Sequence, residues 1–497
     1  MTATWRNLLA GLSNSVWSAL IGLATVPYYL EYLGIEAYGL IGFYITAQAM
    51  LQLLDMGMAP TINREVARCK AMDNIREAGK LLHSLAVIYW SLMFAIAALF
   101  FVLSPFIAGY WLQSASLPQE TVLKATTLMG CVIAFRLPVG LYQGVLIGAQ
   151  RLVLSSAINI AMVTLGNVGA IVVLAFGAST IEAFFLWQVG VSIMHAVLTM
   201  NAAWRVVGKN RYRFSFISVR RVLGFALGTG AISIIGVVLH QLDKFILSGT
   251  LEMEQYGKYM LATMIANALY LFITPVFNII YPGFSSLIAR GKKDDLSRQY
   301  RTMIQLVSSF LFPLSMSFAL LAQPLIALWT RDGGLSSEIA PIASMILFSR
   351  ALHGIGFIPY AVMLAHGHMK SALTMYGLLM LVMLPATIAL SMIYGVWGGV
   401  IAQILLFSLF LFMAVENIQR KYAVGDAQTL VHGICVPMGI SMLIGISGYF
   451  AMEVWRVSVV VRMLLGAALG IAAVALCVYS NKNHLLLRRM WVDFRSL

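Results

Sequence analysis

Leu33-Gly34-Ile35-Glu36-Ala37-Tyr38-Gly39 returns 218 residues later as Leu251-Glu252-Met253-Glu254-Gln255-Tyr256-Gly257. The echo does not stand alone. Ala67, Arg68, Lys70, Asp73 and Arg76 come back as Ala289, Arg290, Lys292, Asp295 and Arg298, an offset of 222. Pro105, Ile107 and Ala108 return as Pro324, Ile326 and Ala327, and Gly148 and Arg151 as Gly367 and Lys370, both at 219. Four matches in one order at nearly one spacing mark a duplicated architecture. Composition says what is duplicated. Of 497 residues, 60% are apolar and 10% charged, against about 25% charged in a soluble domain. A chain folded in water has no surface for so much hydrocarbon. Cut into the ~21-residue lengths that cross a bilayer, the apolar positions fill about fourteen spans. That excludes a secreted, cytosolic or singly anchored protein and leaves no room for a catalytic domain outside the membrane.

The apolar runs predict an all-α polytopic membrane protein of about 14 transmembrane helices. The first spans are 8–30 and 38–59, the second copy opens with 222–248 and 258–282, and the last are 430–451 and 460–480. The repeat offset holds six spans, an even number, so both copies share one orientation. The reading is two pseudo-symmetric six-helix bundles, 1–203 and 222–416, related by an axis along the membrane normal, with a substrate route at their interface. An extra helix pair at 430–480 and a basic tail at 481–497 complete the chain. Of the 33 lysines and arginines, only Lys124, Lys258, Arg331, Arg456 and Arg462 fall on the opposite side, and three lie inside spans. By the positive-inside rule both termini are expected in the cytoplasm, and the same asymmetry accounts for most of the net charge of +14. Nucleic acid is therefore not an expected partner. Arg6 and the apolar stretch running on to Pro27-Tyr28-Tyr29, with no small-residue cleavage site, read as a first span rather than a signal peptide.

Motifs for covalent chemistry are missing. The sequence has no HExxH, GxSxG or GxxxxGK[ST]. Cys69, Cys131, Cys435 and Cys477 have neither metal-ligand nor disulfide spacing. The expectation is a protein that is not an enzyme and has no metal or cofactor, with uphill work drawn from a proton or sodium ion gradient, from substrate supply or from a partner.

The informative residues are ionisable groups at membrane depth, where a charge costs about 3 kcal/mol on insertion scales and faces a partner or a wet cavity. Arg136 sits mid-span, two residues before Pro138, which frees the carbonyl of Ala134. His240, Asp243 and Lys244 share one stripe by their i, i+3, i+4 spacing. Arg350 is followed one turn later by His353, and Asp55 lies near the inner end of its span. Arg136, Lys244 and Arg350 together suit a phosphate or pyrophosphate, which guanidinium groups grip bidentately. Simpler roles are open as well: Arg136 paired with Asp55 or free carbonyls, and Lys244 paired with Asp243 or reaching to the surface. Asp243, Asp55, His240 and His353 are the candidates for ion coupling. Gly224/Gly228 and Gly466/Gly470 fit close helix packing, and Arg488, Arg489, Trp491, Phe494 and Arg495 fit an interfacial segment on anionic lipid.

These residues resemble the polysaccharide-transporter branch of the multidrug/oligosaccharidyl-lipid/polysaccharide (MOP) flippase superfamily. The resemblance rests on Asn14, Pro27-Tyr28-Tyr29-Leu30, Leu33-Gly34, Tyr38-Gly39, Asp55 and Gly57, and Arg64-Glu65. Gly148-Ala149-Gln150-Arg151, Gln241-Leu242-Asp243-Lys244 and Tyr256-Gly257 add to it. It implies two lobes around a cationic cavity, alternating access, and proton or sodium coupling in some members. It also implies an O-antigen type flippase moving undecaprenyl-pyrophosphate-linked oligosaccharide to the outer leaflet of the bacterial inner membrane, with glycan polymerase or ligase partners. The family's cavity cations best match Arg136 and Lys244, while Arg350 rests on the depth argument. The extra helix pair matches members that handle lipid carriers. An arginine that lipid II flippases place in span one has no counterpart here, which counts against a lipid II or teichoic-type substrate. A cation-coupled multidrug exporter would favour acidic residues at mid-span. A membrane glycan ligase or polymerase would carry a large outer loop, and the longest here runs only from Ser104 to Thr121.

Overall fold

The computed structural model describes residues 3–480, apart from 56, 209–211, 368, 423, 426–430 and 455–457. The basic tail at 481–497, Arg456 and the packing of the Gly224/Gly228 pair lie outside the described residues. Helix is the regular structure throughout, with no strand among the described residues and one isolated bridge between Gln113 and Glu252. In chain order the helices are α1 (Ala3–Leu51), α2 (Met58–Ala71), α3 (Ile75–Phe106), α4 (Gln119–Gly148), α5 (Leu152–Phe176), α6 (Ile181–Val207), α7 (Phe216–Thr250) and α8 (Met253–Asn267). They continue as α9 (Tyr270–Ala289), α10 (Lys293–Thr330), α11 (Gly333–Ala365), α12 (Met369–Tyr394), α13 (Val396–Tyr422), α14 (Val436–Val454) and α15 (Val459–Ser480).

Among the described residues, twelve helical segments are long and apolar enough to cross a membrane. Two of the fourteen expected spans are not counted separately among them: 8–30 and 38–59 fall in one long segment, and 222–248, in α7, is not one of the twelve. The runs 8–30 and 38–59 begin within one helical segment, α1, in which two helices meet at a kink at Gly34, φ 79°, ψ 172°. A straight helix of 49 residues would be about 74 Å long, more than twice the hydrocarbon thickness, so the break is obligatory, and only glycine takes that backbone without strain. The run 258–282 is split between α8 and α9, because Ala268, Leu269, Leu271 and Phe272 each donate to the carbonyl three residues back, at 3.1–3.2 Å. This tight turn has its counterpart in the 3-10 turn Gln52–Asp55 that follows α1.

The duplication reads element by element. α3 begins at Ile75 and α10 at Lys293, 218 residues later. α5 begins at Leu152 and α12 at Met369, 217 later, and α6 and α13 begin 215 apart. Compact units divide the chain into Met1–Gly257 and Lys258–Leu497, so α7 counts with the first.

In the first unit, polar pairs fasten the first arm of α1 to α5: Asn159 Nδ2 donates to Asn14 Oδ1 at 2.8 Å, Trp17 Nε1 to Thr164 Oγ1 at 2.8 Å, and Tyr29 hydroxyl to the Asn167 carbonyl at 3.2 Å. Among hydrocarbon, such bonds replace the hydrophobic effect as the glue between helices. A buried cluster of α2, α3 and α4 includes Ile62, Leu82, Tyr89 and Tyr142. It closes because α4 has glycine where α2 crosses: a Cβ at Gly144 would stand 2.6 Å from the Ala59 carbonyl oxygen, and one at Gly148 would overlap that of Asn63. The two echoed motifs also meet. A Cβ at Gly39 would overlap the Met253 carbonyl oxygen, and one at Gly257 that of Ile35.

In the second unit, α11 packs on α9, α10 and α13, and the terminal pair α14 and α15 packs on α10. The Gly466/Gly470 pair does what its spacing predicts: a Cβ at Gly466 would stand 2.6 Å from Leu321 Cδ2, and one at Gly470 would overlap the Ser317 hydroxyl, both on α10. Side chains such as Phe101, Leu381, Leu443 and Ile471 are 70–72% exposed. Apolar surface on this scale is prohibitive in water and ordinary against lipid tails. The chain is a multi-pass membrane protein.

Candidate functional site

Arg136 and Arg350 occupy equivalent places. Counted from Gln119 and Gly333, each is the eighteenth residue of its helix, and α4 and α11 are the corresponding helices of the repeat. Both are far from the helix ends. Among the described residues neither arginine is ion-paired to a carboxylate.

In the first unit Arg136 is half-buried. One guanidinium N–H donates to Gln48 Oε1 at 2.9 Å, and Cζ stands 5.7 Å from the centroid of the Tyr44 ring. Tyr44 and Gln48 lie one turn apart on α1, which puts both on the face that meets α4. Tyr44 is buried, its ring meets Phe185 edge-on at 5.7 Å, and its hydroxyl has no hydrogen-bond partner. His195 on α6 lies within electrostatic reach of Arg136, and its Nε2 is likewise buried without a partner. The cation is thus held by neutral groups, with two polar atoms beside it unengaged.

Lys244, on α7, is placed differently. Its ammonium donates to the His240 carbonyl at 2.8 Å and to Asp243 Oδ1 at 3.2 Å, and both side chains are 7% exposed. The carboxylate neutralises the lysine, so this site has little net charge. Of the stripe His240, Asp243, Lys244, the lysine is held by the His240 carbonyl and by the adjacent acid. Asp55 does not meet Arg136. Its carboxylate accepts from the Tyr89 hydroxyl and from the Ala59 amide at 3.2 Å, which caps α2 and ties the turn before it to α3.

In the second unit Arg350 is 2% exposed. Its Cζ stands 5.7 Å from the Tyr270 ring and 5.3 Å from the Phe407 ring, and Nε has no hydrogen-bond partner. His353, also buried, bonds the Tyr270 hydroxyl through Nδ1 at 2.7 Å and stacks on Phe407 at 4.3 Å. Arg350 and His353 are therefore brought together, sharing the same two rings. Phe357, one turn on, touches the His353 ring at 4.4 Å. With Gly354 it also lines an almost wholly apolar cavity of about 400 Å³ between α9, α10 and α11. Phe357 thus links the His353 ring to a hydrocarbon-lined cavity.

Desolvated cation–π contacts are worth about 2 kcal/mol and hold an arginine in place while leaving its N–H fork for an anion. Carboxylate partners would cancel the charge instead. Both arginine sites are therefore suited to a phosphate group. Outside the spans, burial pushes the Cys69 thiol above its ordinary value, in keeping with a packing residue. Among the described residues no group of three or more metal-ligating side chains converges.

Sequence reasoning missed His195, although it is an ionisable residue inside a span and the depth rule applied to Arg136 applies to it equally. Gln48 and Tyr44 carry the weaker signal of polar groups one helical turn apart. Tyr270 and Phe407 carry none, because an aromatic residue in an apolar helix gives no sign of what lies above its ring.

The fold has solved counterparts. The lipid II flippase MurJ in an inward closed conformation superposes with a TM-score of 0.70 at 13% identity, covering 95% of this chain and 99% of that one. An inward-facing multidrug resistance MATE family transporter of the MOP superfamily gives 0.65 at 13%, covering 86% and 100%. A mutant of the Vibrio cholerae MATE transporter VcmN gives 0.56 at 15%, covering 84% and 98%. No curated protein matches the chain in sequence. The family described as polysaccharide biosynthesis protein matches residues 4–288, more than half of the chain. The chain belongs to that family of polysaccharide biosynthesis proteins and has the fold of MOP-superfamily transporters.

Proposed function

We propose that the protein is a flippase of the bacterial inner membrane that moves a polyprenyl-pyrophosphate-linked oligosaccharide, an O-antigen or similar repeat unit, to the outer leaflet by alternating access. One observation carries the reading: Arg136 and Arg350 sit deep in equivalent helices, without carboxylate partners among the described residues, under aromatic rings. A transporter of organic cations would be served by acids at those places. A pyrophosphate is served by arginines, and the apolar cavity that Gly354 and Phe357 line on the same helix as Arg350 suits an isoprenoid. Family and fold support a MOP-type flippase, and the lipid II flippase among the structural counterparts supports a lipid-linked glycan as cargo. Ion coupling, with Asp243 as the carboxylate beside a cation, belongs to the same proposal, as do polymerase or ligase partners.

Binding to the purified protein tests the ligand class. Undecaprenyl pyrophosphate should bind at least about tenfold more tightly than undecaprenol, the difference expected of one charge-assisted contact. Equal affinity for the two, or tighter binding of a cationic dye, would contradict the proposal.

A further inference from the structure

A second polar cavity lies in the first unit, away from Arg136. It has a volume of about 770 Å³ and forms where α2, α4 and α6 end and α3 and α5 begin. Its rim carries Lys70, Arg151 and Arg205 against one carboxylate, Asp73. Lys70 Nζ donates to the Ala149 carbonyl at 2.8 Å. Among the described residues Arg151 and Arg205 are not ion-paired.

The walls grade from apolar to cationic in the same direction on both sides. Along α6 the lining stripe runs Leu198, Asn201, Arg205, and along α5 towards its start it runs Ile158, Leu154, Arg151. Seven residues of helix cover about 10 Å, so both walls pass from hydrocarbon to guanidinium over about the same depth. That is the polarity profile of a phospholipid from acyl chain to phosphate. The geometry of Gly148-Ala149-Gln150-Arg151 serves the same end. Gly148 lets α4 close on α2, and Gln150 adopts the left-handed conformation at φ 61°. The turn is thereby tight enough to put Arg151 at the rim, directly before α5.

The second unit provides the contrast. Lys292, the counterpart of Lys70, pairs with Asp295 at 3.7 Å, and Arg420, the counterpart of Arg205, pairs with Glu416 at 2.6 Å. There these two basic residues are matched by acids, Asp295 being the counterpart of Asp73, while Lys370, the counterpart of Arg151, is not ion-paired among the described residues. In the first unit Arg151 and Arg205 share the cavity with a single carboxylate, Asp73, and pair with none among the described residues.

We infer that this cavity is a binding site for the phosphate diester of an anionic glycerophospholipid, with Arg151 and Arg205 holding the phosphate and the α5 and α6 stripes holding the start of an acyl chain. The site is separate from the one proposed to grip the transported pyrophosphate and does not depend on that assignment. Bound lipid would brace the α4–α5 turn against α6 at the lysine- and arginine-rich surface, where anionic lipid is attracted to basic residues.

Native mass spectrometry of the full chain, titrated with phosphatidylglycerol, phosphatidylcholine or inorganic phosphate, tests this. The wild type should retain phosphatidylglycerol in preference to phosphatidylcholine. Arg151→Gln/Arg205→Gln should weaken that retention by the order of twentyfold, roughly fivefold per charge, whereas Lys292→Gln/Arg420→Gln should leave it unchanged. Arg151→Lys/Arg205→Lys keeps the charge and should keep most of the preference, which guards against a glutamine variant that folds poorly. Equal retention by the wild type and the glutamine variant would overturn the inference, as would a lysine variant that loses the preference completely. Displacement by inorganic phosphate with no preference between the two lipids would assign the cavity to a soluble phosphate and overturn the lipid occupant.

Discussion

Arg136→Gln should cut translocation of lipid-linked glycan by about 10–100-fold while leaving the amount of folded protein unchanged. The magnitude is that of one charge-assisted contact to an anion, about 1.5–3 kcal/mol. The fold should survive because Arg136 is only half-buried and its single hydrogen bond goes to the neutral Gln48, so no buried charge is left behind. Glutamine can retain a contact there, which isolates the loss of charge. Arg136→Lys should recover part of the activity, since lysine keeps the charge without the bidentate fork. Arg350→Gln should behave in the same direction if the two equivalent helices share one task. The measurement is surface glycan per unit of membrane-inserted protein in a complemented deletion strain. Normal export by Arg136→Gln at equal abundance would remove Arg136 from the binding site.

Asp243→Ala should destabilise the protein by about 3–5 kcal/mol, because it leaves the Lys244 ammonium buried beside an apolar methyl group. Both partners are nearly inaccessible, so solvent screening offers little relief. Asp243→Ala/Lys244→Met removes the charges together and should regain most of that stability, since a buried pair replaced by apolar residues is often close to neutral. Thermal unfolding of the wild type and the two variants in detergent reads the difference directly. The double variant also separates two roles. Stable but inactive protein fits the coupling role proposed for Asp243. Stable and fully active protein means that the pair serves packing alone.

Much of the architecture was legible because bilayers impose simple arithmetic. Span length, basic loops and the 218-residue echo are properties of local sequence, and they give the order of the helices. What the echo does physically was not legible. Tyr38-Gly39 and Tyr256-Gly257 read as a repeated signature, while the contact between Gly39 and the Met253 carbonyl depends on how the chain returns after α7. The break at 268–269 was hidden because apolar residues continue straight through it, and hydropathy registers composition rather than backbone hydrogen bonding; at 52–55 the signal was only Gln52 and Asp55 inside an apolar run. At the site, depth found Arg136, Arg350 and the α7 stripe. It did not find their partners. Arg136 meets Gln48 rather than Asp55 because Asp55 is used to cap α2, a choice made by the turn that hydropathy does not register. The equivalence of Arg136 and Arg350 becomes visible only when the starts of α4 and α11 are known, since their own spacing of 214 differs from that of the echoed motifs.

The most direct test of the account is the lipid content of a deletion strain. Polyprenyl-pyrophosphate-linked oligosaccharides are extracted and quantified by mass spectrometry, with surface glycan blotted from the same cells. The account predicts that completed lipid-linked repeat units accumulate while surface glycan disappears, and that the wild-type gene reverses both. Unchanged lipid-linked glycan and surface polymer, with cationic dyes building up in the cells, would contradict it and identify a drug exporter built on the same fold.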